Sequence, residues 1–141
     1  EAVAEAIRAD TAKWGRIVHV TSTTIHEPSV GLFLSSSVRP AVAGFSQALS
    51  REVAAHGITV NVLAPGLIAT DRLAELAEYR VKQSGRTVED ELLAMGEQVP
   101  VGRLGKPEEF GWLVAFLCSD RAAYITGETL RLDGGRTGFL L

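Results

Sequence analysis

At 141 residues and 46% hydrophobic, the chain has the size and composition of one soluble globular domain, able to bury about 68–70% of its unfolded surface. Its formal net charge is -3, with Lys and Arg scattered rather than clustered; that argues against a nucleic-acid partner and favours a small molecule. No apolar run approaches the ~18–20 residues that cross a bilayer and no basic-then-apolar leader is visible, so no membrane partner is expected and the expected location is cytoplasmic.

The first residues, Glu1 to Asp10, are helical in composition yet no capping residue precedes them, so the chain is expected to begin inside a helix. With Met95 as its sole methionine, it reads as part of a longer protein. Gly15 should end that helix, and Arg16 to Thr21, rich in β-branched residues, predicts a parallel strand buried on both faces. Residues 23–34 contain Pro28 and Gly31 and read as a loop over the strand's C-terminal end, where open α/β sheets bind ligands.

Ser36 or Ser37 is expected to cap a long helix reaching about His56, with Pro40 in its first turn and Val38, Val42, Phe45 and Leu49 at helical spacing. Gly57 should stop it. Ile58 to Leu63 predicts a second strand closed by Ala64-Pro65-Gly66. From Asp71 to Val101 the pattern becomes Ala, Glu and Lys/Arg with a break at Ser84-Gly85, which predicts two short amphipathic helices outside the sheet.

Pro107-Glu108-Glu109 opens a helix expected to reach Cys118. Phe110, Leu113, Val114 and Leu117 form one apolar face; Trp112, Ala115 and Phe116 leave a second. The second face can meet a partner or be wrapped by the domain's own core. Cys118, the single cysteine, is expected to be a buried packing residue. Thr129 to Asp133 predicts a last strand. Strands alternating with helices define an α/β fold with a doubly wound parallel sheet, of which three strands are visible.

No glycine-rich turn joins a strand to a helix. Gly134-Gly135-Arg136-Thr137-Gly138 follows a strand and reads as a terminal turn, and Gly102 to Lys106 fails the Walker spacing because prolines stand at positions 100 and 107. His19, His26 and His56 show no metal-ligand spacing, with one another or with Cys118, so no metal site is expected.

Gly15 to Ser22, then Val42-Ala43-Gly44-Phe45, Gly57 to Gly66, and Thr126-Gly127-Glu128 followed by Leu132 to Gly135, closely resemble the C-terminal half of a short-chain dehydrogenase/reductase. The resemblance implies half of a Rossmann-type sheet, a substrate lid over residues 71–101, and hydride transfer between NAD or NADP and a carbonyl or alcohol. It also implies a dimer or tetramer. Ser22 matches the family's substrate-binding serine, and donation to a developing oxyanion is what its hydroxyl could do.

Counting forward from Ser22, the family's catalytic tyrosine falls at Ser35 and its lysine at Arg39, as in a divergent 3-oxoacyl-carrier-protein-reductase-like branch. A phenol starts near pKa ~10, within reach of tuning, whereas a serine hydroxyl is a far weaker acid. Arg39 keeps a charge that could hold ribose hydroxyls or a substrate carboxylate but does not relay protons. His26 is the titratable group nearby with a suitable unperturbed pKa. Pro65-Gly66-Leu67-Ile68-Ala69-Thr70 is similar to the family's nicotinamide-contacting segment, with Gly66 permitting close approach and the Ile68 backbone and Thr70 hydroxyl able to fix the ring.

The expected catalytic set is Ser22, Ser35 and Arg39; the expected cofactor-binding set is Arg39, Pro65, Gly66, Leu67, Ile68 and Thr70. The segments that select NAD or NADP lie further towards the N-terminus in that family. Leu73, Leu76, Tyr79, Leu92, Leu93 and Met95 could line a substrate pocket or be the packing faces of two helices. Two functions remain open: an atypical oxidoreductase with altered catalytic residues, or a non-catalytic nucleotide-binding or assembly fragment of the same family.

Overall fold

The computed structural model describes Glu5 and residues 15–138, the side chains of residues 83 and 84 excepted. Apart from Glu5, the helix expected before Gly15 lies outside the described residues. Strand β1 (Arg16–Val20) leads through a short 3-10 turn at Thr23–Ile25 into helix α1 (Phe33–Val53). Strand β2 (Thr59–Pro65) follows, then α2 (Asp71–Ser84), α3 (Val88–Glu97), α4 (Pro107–Cys118) and strand β3 (Thr129–Leu132).

The three strands form one parallel sheet in the order β1-β2-β3. Successive side chains of a strand point to opposite faces, and each face carries its own core. Ile17 and Val60, directly paired across the strands, pack with Leu49 and Val53 of α1 and with Ile58. Val18 and Leu63 point the other way and pack with Phe110, Leu113, Val114 and Leu117 of α4. Helices therefore cover both faces of a parallel sheet, the doubly wound arrangement. Residues 59–64 of β2 are buried without a break, as befits a central strand. β1 is an edge strand among the described residues and is only partly buried, which corrects the expectation of burial on both faces.

Helix α1 begins earlier than expected. Its N-cap is Leu32, with no side-chain capping bond; Ser36 instead donates its amide to the Leu32 carbonyl, and the Ser37 hydroxyl donates back to the Phe33 carbonyl at 2.8 Å. Pro40 thus lies inside the helix rather than in its first turn, and it removes the N–H that Ser36 would otherwise receive. The apolar stripe is split: Leu49 is buried, whereas Val38 and Phe45 are exposed. His19 on β1 tethers the same helix through a 2.7 Å contact between Nδ1 and Ser46 Oγ. Ser46 gives its one hydroxyl proton to the Val42 carbonyl, so Nδ1 of His19 must be the donor.

The two helices expected over 71–101 are present, divided by Gly85 in the left-handed conformation at φ 70°. A capping box between Thr87 and Asp90 starts α3. Leu73, Ala77 and Met95 form the core between α2 and α3, with Leu92 packed against it. Tyr79 and Leu93 face solvent. Helix α4 runs over the predicted residues, but Cys118 at its end is exposed. Leu117 takes the inward position, and the ~100° turn per residue carries the next side chain outward.

Residues 125–128 run beside β2 as a strap. Val60 receives the Thr126 hydroxyl oxygen as an acceptor for its N–H, and its carbonyl accepts the Gly127 N–H. Asn61, 1% exposed, donates Nδ2 to the Ile125 carbonyl at 2.8 Å and accepts the Glu128 N–H at 3.1 Å. These contacts give a structural reason for the Thr126-Gly127-Glu128 motif.

Candidate active site

The candidate residues gather where β1 and β2 end, the edge at which open parallel sheets bind ligands. Thr21 extends the ladder beyond β1, since both its N–H and its hydroxyl donate to the Leu63 carbonyl. Ser22 then caps the 3-10 turn, its Oγ accepting the Thr24 N–H at 3.3 Å. That bond uses an oxygen lone pair and leaves the hydroxyl hydrogen free to donate elsewhere. The turn and the ligand-facing role are compatible.

Arg39, one helical turn after Ser35, closes the other side. Its Nε donates to Ser35 Oγ at 2.7 Å and its Nη1 to the Thr21 carbonyl at 2.6 Å. The guanidinium thereby ties α1 to the end of β1, immediately before Ser22. The planar fork suits this double engagement, which one ammonium on a lysine stem would not reproduce. Ser35 and Arg39 are thus joined to each other and to the strand end.

Among the described residues, two clefts meet at Gly66. The larger, about 700 Å³, includes Ser22, Glu27, Gly66, Arg80, Gln98 and Arg136 in its wall. The smaller, about 380 Å³ and mainly apolar, is lined in part by Val20, Pro65, Gly66, Ile68, Thr70 and Phe110. Gly66 borders both. Ser35 and Arg39 line neither. His26 lies outside both linings as well, and its Nε2 is buried without a hydrogen-bond partner.

The Pro65–Thr70 segment is held from beneath. Gly105 donates to the Leu67 carbonyl and accepts the Ala69 N–H, bridging Ile68. The 103–106 turn is itself clamped: Arg103 meets the Glu109 carboxylate through two bonds of 2.8 and 2.7 Å, and the Lys106 N–H adds a third. These hydrogen bonds, Arg103 foremost, hold the Glu109 pKa down at about 2. Leu67 packs against the core of α2 and α3 and also borders the larger cleft. Gly66 permits a close approach, but of Asp133: a Cβ there would lie 2.7 Å from Asp133 Cβ and 2.8 Å from its Cα.

Asp133 organises the turn after β3. Its carboxylate accepts the Gly135 N–H at 3.0 Å and the Thr137 N–H at 2.9 Å. Burial opposes its ionisation, but the bonds from Thr137 and Gly135 and the nearby Arg131 charge prevail and lower its pKa. Gly134 and Gly135 both adopt positive φ, as the predicted terminal turn requires.

Several cleft residues escaped the sequence reading. Arg80 lies four positions after Leu76, which lines both clefts, and that i, i+4 spacing was a usable signal. Arg136 could not be placed from sequence, because its position depends on the hydrogen-bonded turn. Of the expected lid residues, Leu73 and Leu76 reach the smaller cleft, while Met95 serves the core. Among the described residues no cluster of His, Cys, Asp or Glu could hold a metal ion. No helix of the described residues is long and apolar enough to cross a membrane.

The chain belongs to the short-chain dehydrogenase/reductase family: residues 1–137 match the family described as Enoyl-(Acyl carrier protein) reductase. The 3-oxoacyl-acyl-carrier-protein reductase FabG of Aquifex aeolicus is 40% identical over 123 residues, covering 87% of this chain and 45% of that protein. The chain therefore spans about half the length of the curated relatives it matches. L-sorbose reductase from Gluconobacter frateurii, solved with NADPH and L-sorbose, superposes with a TM-score of 0.86 at 31% identity, covering 92% of this chain and 50% of its own. YwfH, an NADPH-dependent reductase involved in bacilysin biosynthesis, gives 0.85 at 33% identity, with 96% and 54% covered.

Proposed function

We propose that the chain is the C-terminal part of one Rossmann-type oxidoreductase domain that transfers a hydride between NAD(H) or NADP(H) and a carbonyl or alcohol. The observation that carries this reading is the placement of Ser22 on one cleft and the Pro65–Thr70 segment on the adjoining one, with Gly66 bordering both. Relatives solved with NADPH support the cofactor class.

The smaller cleft fits the nicotinamide end of such a cofactor. Its mainly apolar wall offers flat contact through Val20, Pro65 and Ile68, and Thr70 supplies a polar group at the rim. When bound, the cofactor supplies or accepts the hydride. Ser22 donates a hydrogen bond to the substrate oxygen as negative charge develops there. Arg39 holds Ser35 and the Thr21 carbonyl and so positions Ser22. The proton comes from water entering the open cleft, since His26 does not line it. Residues 71–101 act as the lid, α2 presenting Leu73 and Leu76 to the site.

The test is cofactor-dependent turnover by the full protein, which Ser22→Ala lowers by about 10²-fold or more as an oxyanion donor is lost. Arg39→Ala also lowers it, through displacement of the 21–22 backbone. Unchanged turnover in both variants refutes the site. The second reading is a non-catalytic member that binds nucleotide or assembles with another subunit, favoured by the mutual engagement of Ser35 and Arg39. In that case Ser35→Tyr with Arg39→Lys creates activity where the natural protein has none. Self-association as a dimer or tetramer is part of the proposal, supported by the exposed Phe45 of α1 and Trp112 of α4.

A further inference from the structure

We infer that the substrate of this site carries an anionic group, a carboxylate or a phosphate, which Arg80 and Arg136 recognise in the larger cleft beside Ser22. The inference rests on the oxidoreductase reading of that cleft and adds the class of substrate. The charged residues of its wall are Arg80, Arg136 and Glu27, so the cations outnumber the acid two to one. Among the described residues, neither arginine has an ion pair, and Glu27 pairs with neither of them.

That separates them from the arginines that serve structure. Arg16 pairs with Asp120, Arg72 with Glu75 and Arg103 with Glu109. Arg80 and Arg136 reach the cleft from separate elements, one from α2 and the other from the turn after β3. Arg136 is also preorganised: the Asp133 carboxylate grips the amides of Gly135 and Thr137 on either side of it, and Thr137 is buried. Fixing the backbone beforehand reduces the ordering cost of binding. A guanidinium matches both carboxylate and phosphate oxygens, and Gln98 adds an amide donor to the same wall.

The deciding experiment uses the full protein with two pairs of carbonyl compounds: levulinate against methyl levulinate, and dihydroxyacetone phosphate against dihydroxyacetone. In at least one pair the charged member is preferred in kcat/KM by about tenfold or more, as a charge-assisted hydrogen bond implies. Arg80→Gln and Arg136→Gln each erase most of that preference, while Arg136→Lys retains part of it. The pair showing the preference identifies the anion as carboxylate or phosphate. Preference for both neutral compounds, or a charged-to-neutral ratio unchanged in the glutamine variants, overturns the inference.

Binding of glutarate and of inorganic phosphate, followed by calorimetry, separates this inference from the functional reading. If no carbonyl compound is turned over, the oxidoreductase proposal fails and the binding arm alone decides. Weakening of either anion by about tenfold in both glutamine variants sustains recognition by the arginines; absent binding, or binding unaffected by the substitutions, refutes it.

Discussion

Replacing Asn61 by alanine tests the idea that the strap at residues 125–128, rather than β3 pairing alone, fastens the last strand to the sheet. The side chain is 1% exposed and makes two bonds, to the Ile125 carbonyl and from the Glu128 N–H. Its loss leaves both backbone groups without that partner, at about 1–3 kcal/mol each, so destabilisation of about 2–6 kcal/mol is expected. At about 2–4 °C per kcal/mol for a domain somewhat larger than this chain, the melting temperature falls by roughly 4–24 °C. Thr126→Val removes the acceptor of the Val60 N–H and should cost about half as much. The effects are not additive, because both act on one strap. Thermal unfolding followed by circular dichroism gives the magnitude, and hydrogen exchange at the Glu128 amide locates it. A shift below about 2 °C in Asn61→Ala, with Glu128 exchange unchanged, would refute the reasoning.

Gly66→Ala should cost about 1–3 kcal/mol in denaturant unfolding, since the new Cβ meets Asp133 backbone that cannot swing aside; wild-type stability would contradict the close approach. The Glu109 pKa is lowered from 4.5 to about 2, so its clamp contributes fully above pH 4.5 and is lost as pH falls through about 2. Glu109→Gln should remove that part of the acid dependence, and an identical acid-unfolding profile in the variant would show that the clamp contributes nothing. Cys118, being exposed, should react fully with a thiol reagent in the native state, whereas labelling confined to denatured protein would place it in the core.

What the sequence made legible follows from where the deciding interaction is local. Helix α4 was readable because Pro107 and the two acids after it mark its first turn, and Gly57 and Gly85 marked helix ends through their left-handed conformations. The start of α1 was not readable. Its cap, Leu32, makes no side-chain bond; of the serines that resemble caps, Ser37 bonds backward into a helix already under way and Ser36 accepts the Ser29 N–H before it. Burial of Cys118 was misjudged because composition reports an apolar neighbourhood, not the angle at which a side chain leaves the helix.

The site follows the same division. Ser22 and the Pro65–Thr70 segment are expected at strand ends and border the clefts there, but the placement of Arg39 depends on a carbonyl 18 residues away in sequence. Reading Arg39 as a substitute for a ribose-binding lysine assigned it to a ligand. Two short bonds also engage the protein, and they bear on what the paired replacement means. A lysine beside a tyrosine would leave that tyrosine in a charged field from which it can release a proton. An arginine that donates to Ser35 and Thr21 fixes the strand end and occupies the serine oxygen. On the proposed reading, the pair at positions 35 and 39 braces the end of β1, while orientation comes from Ser22 and the proton from water in the cleft.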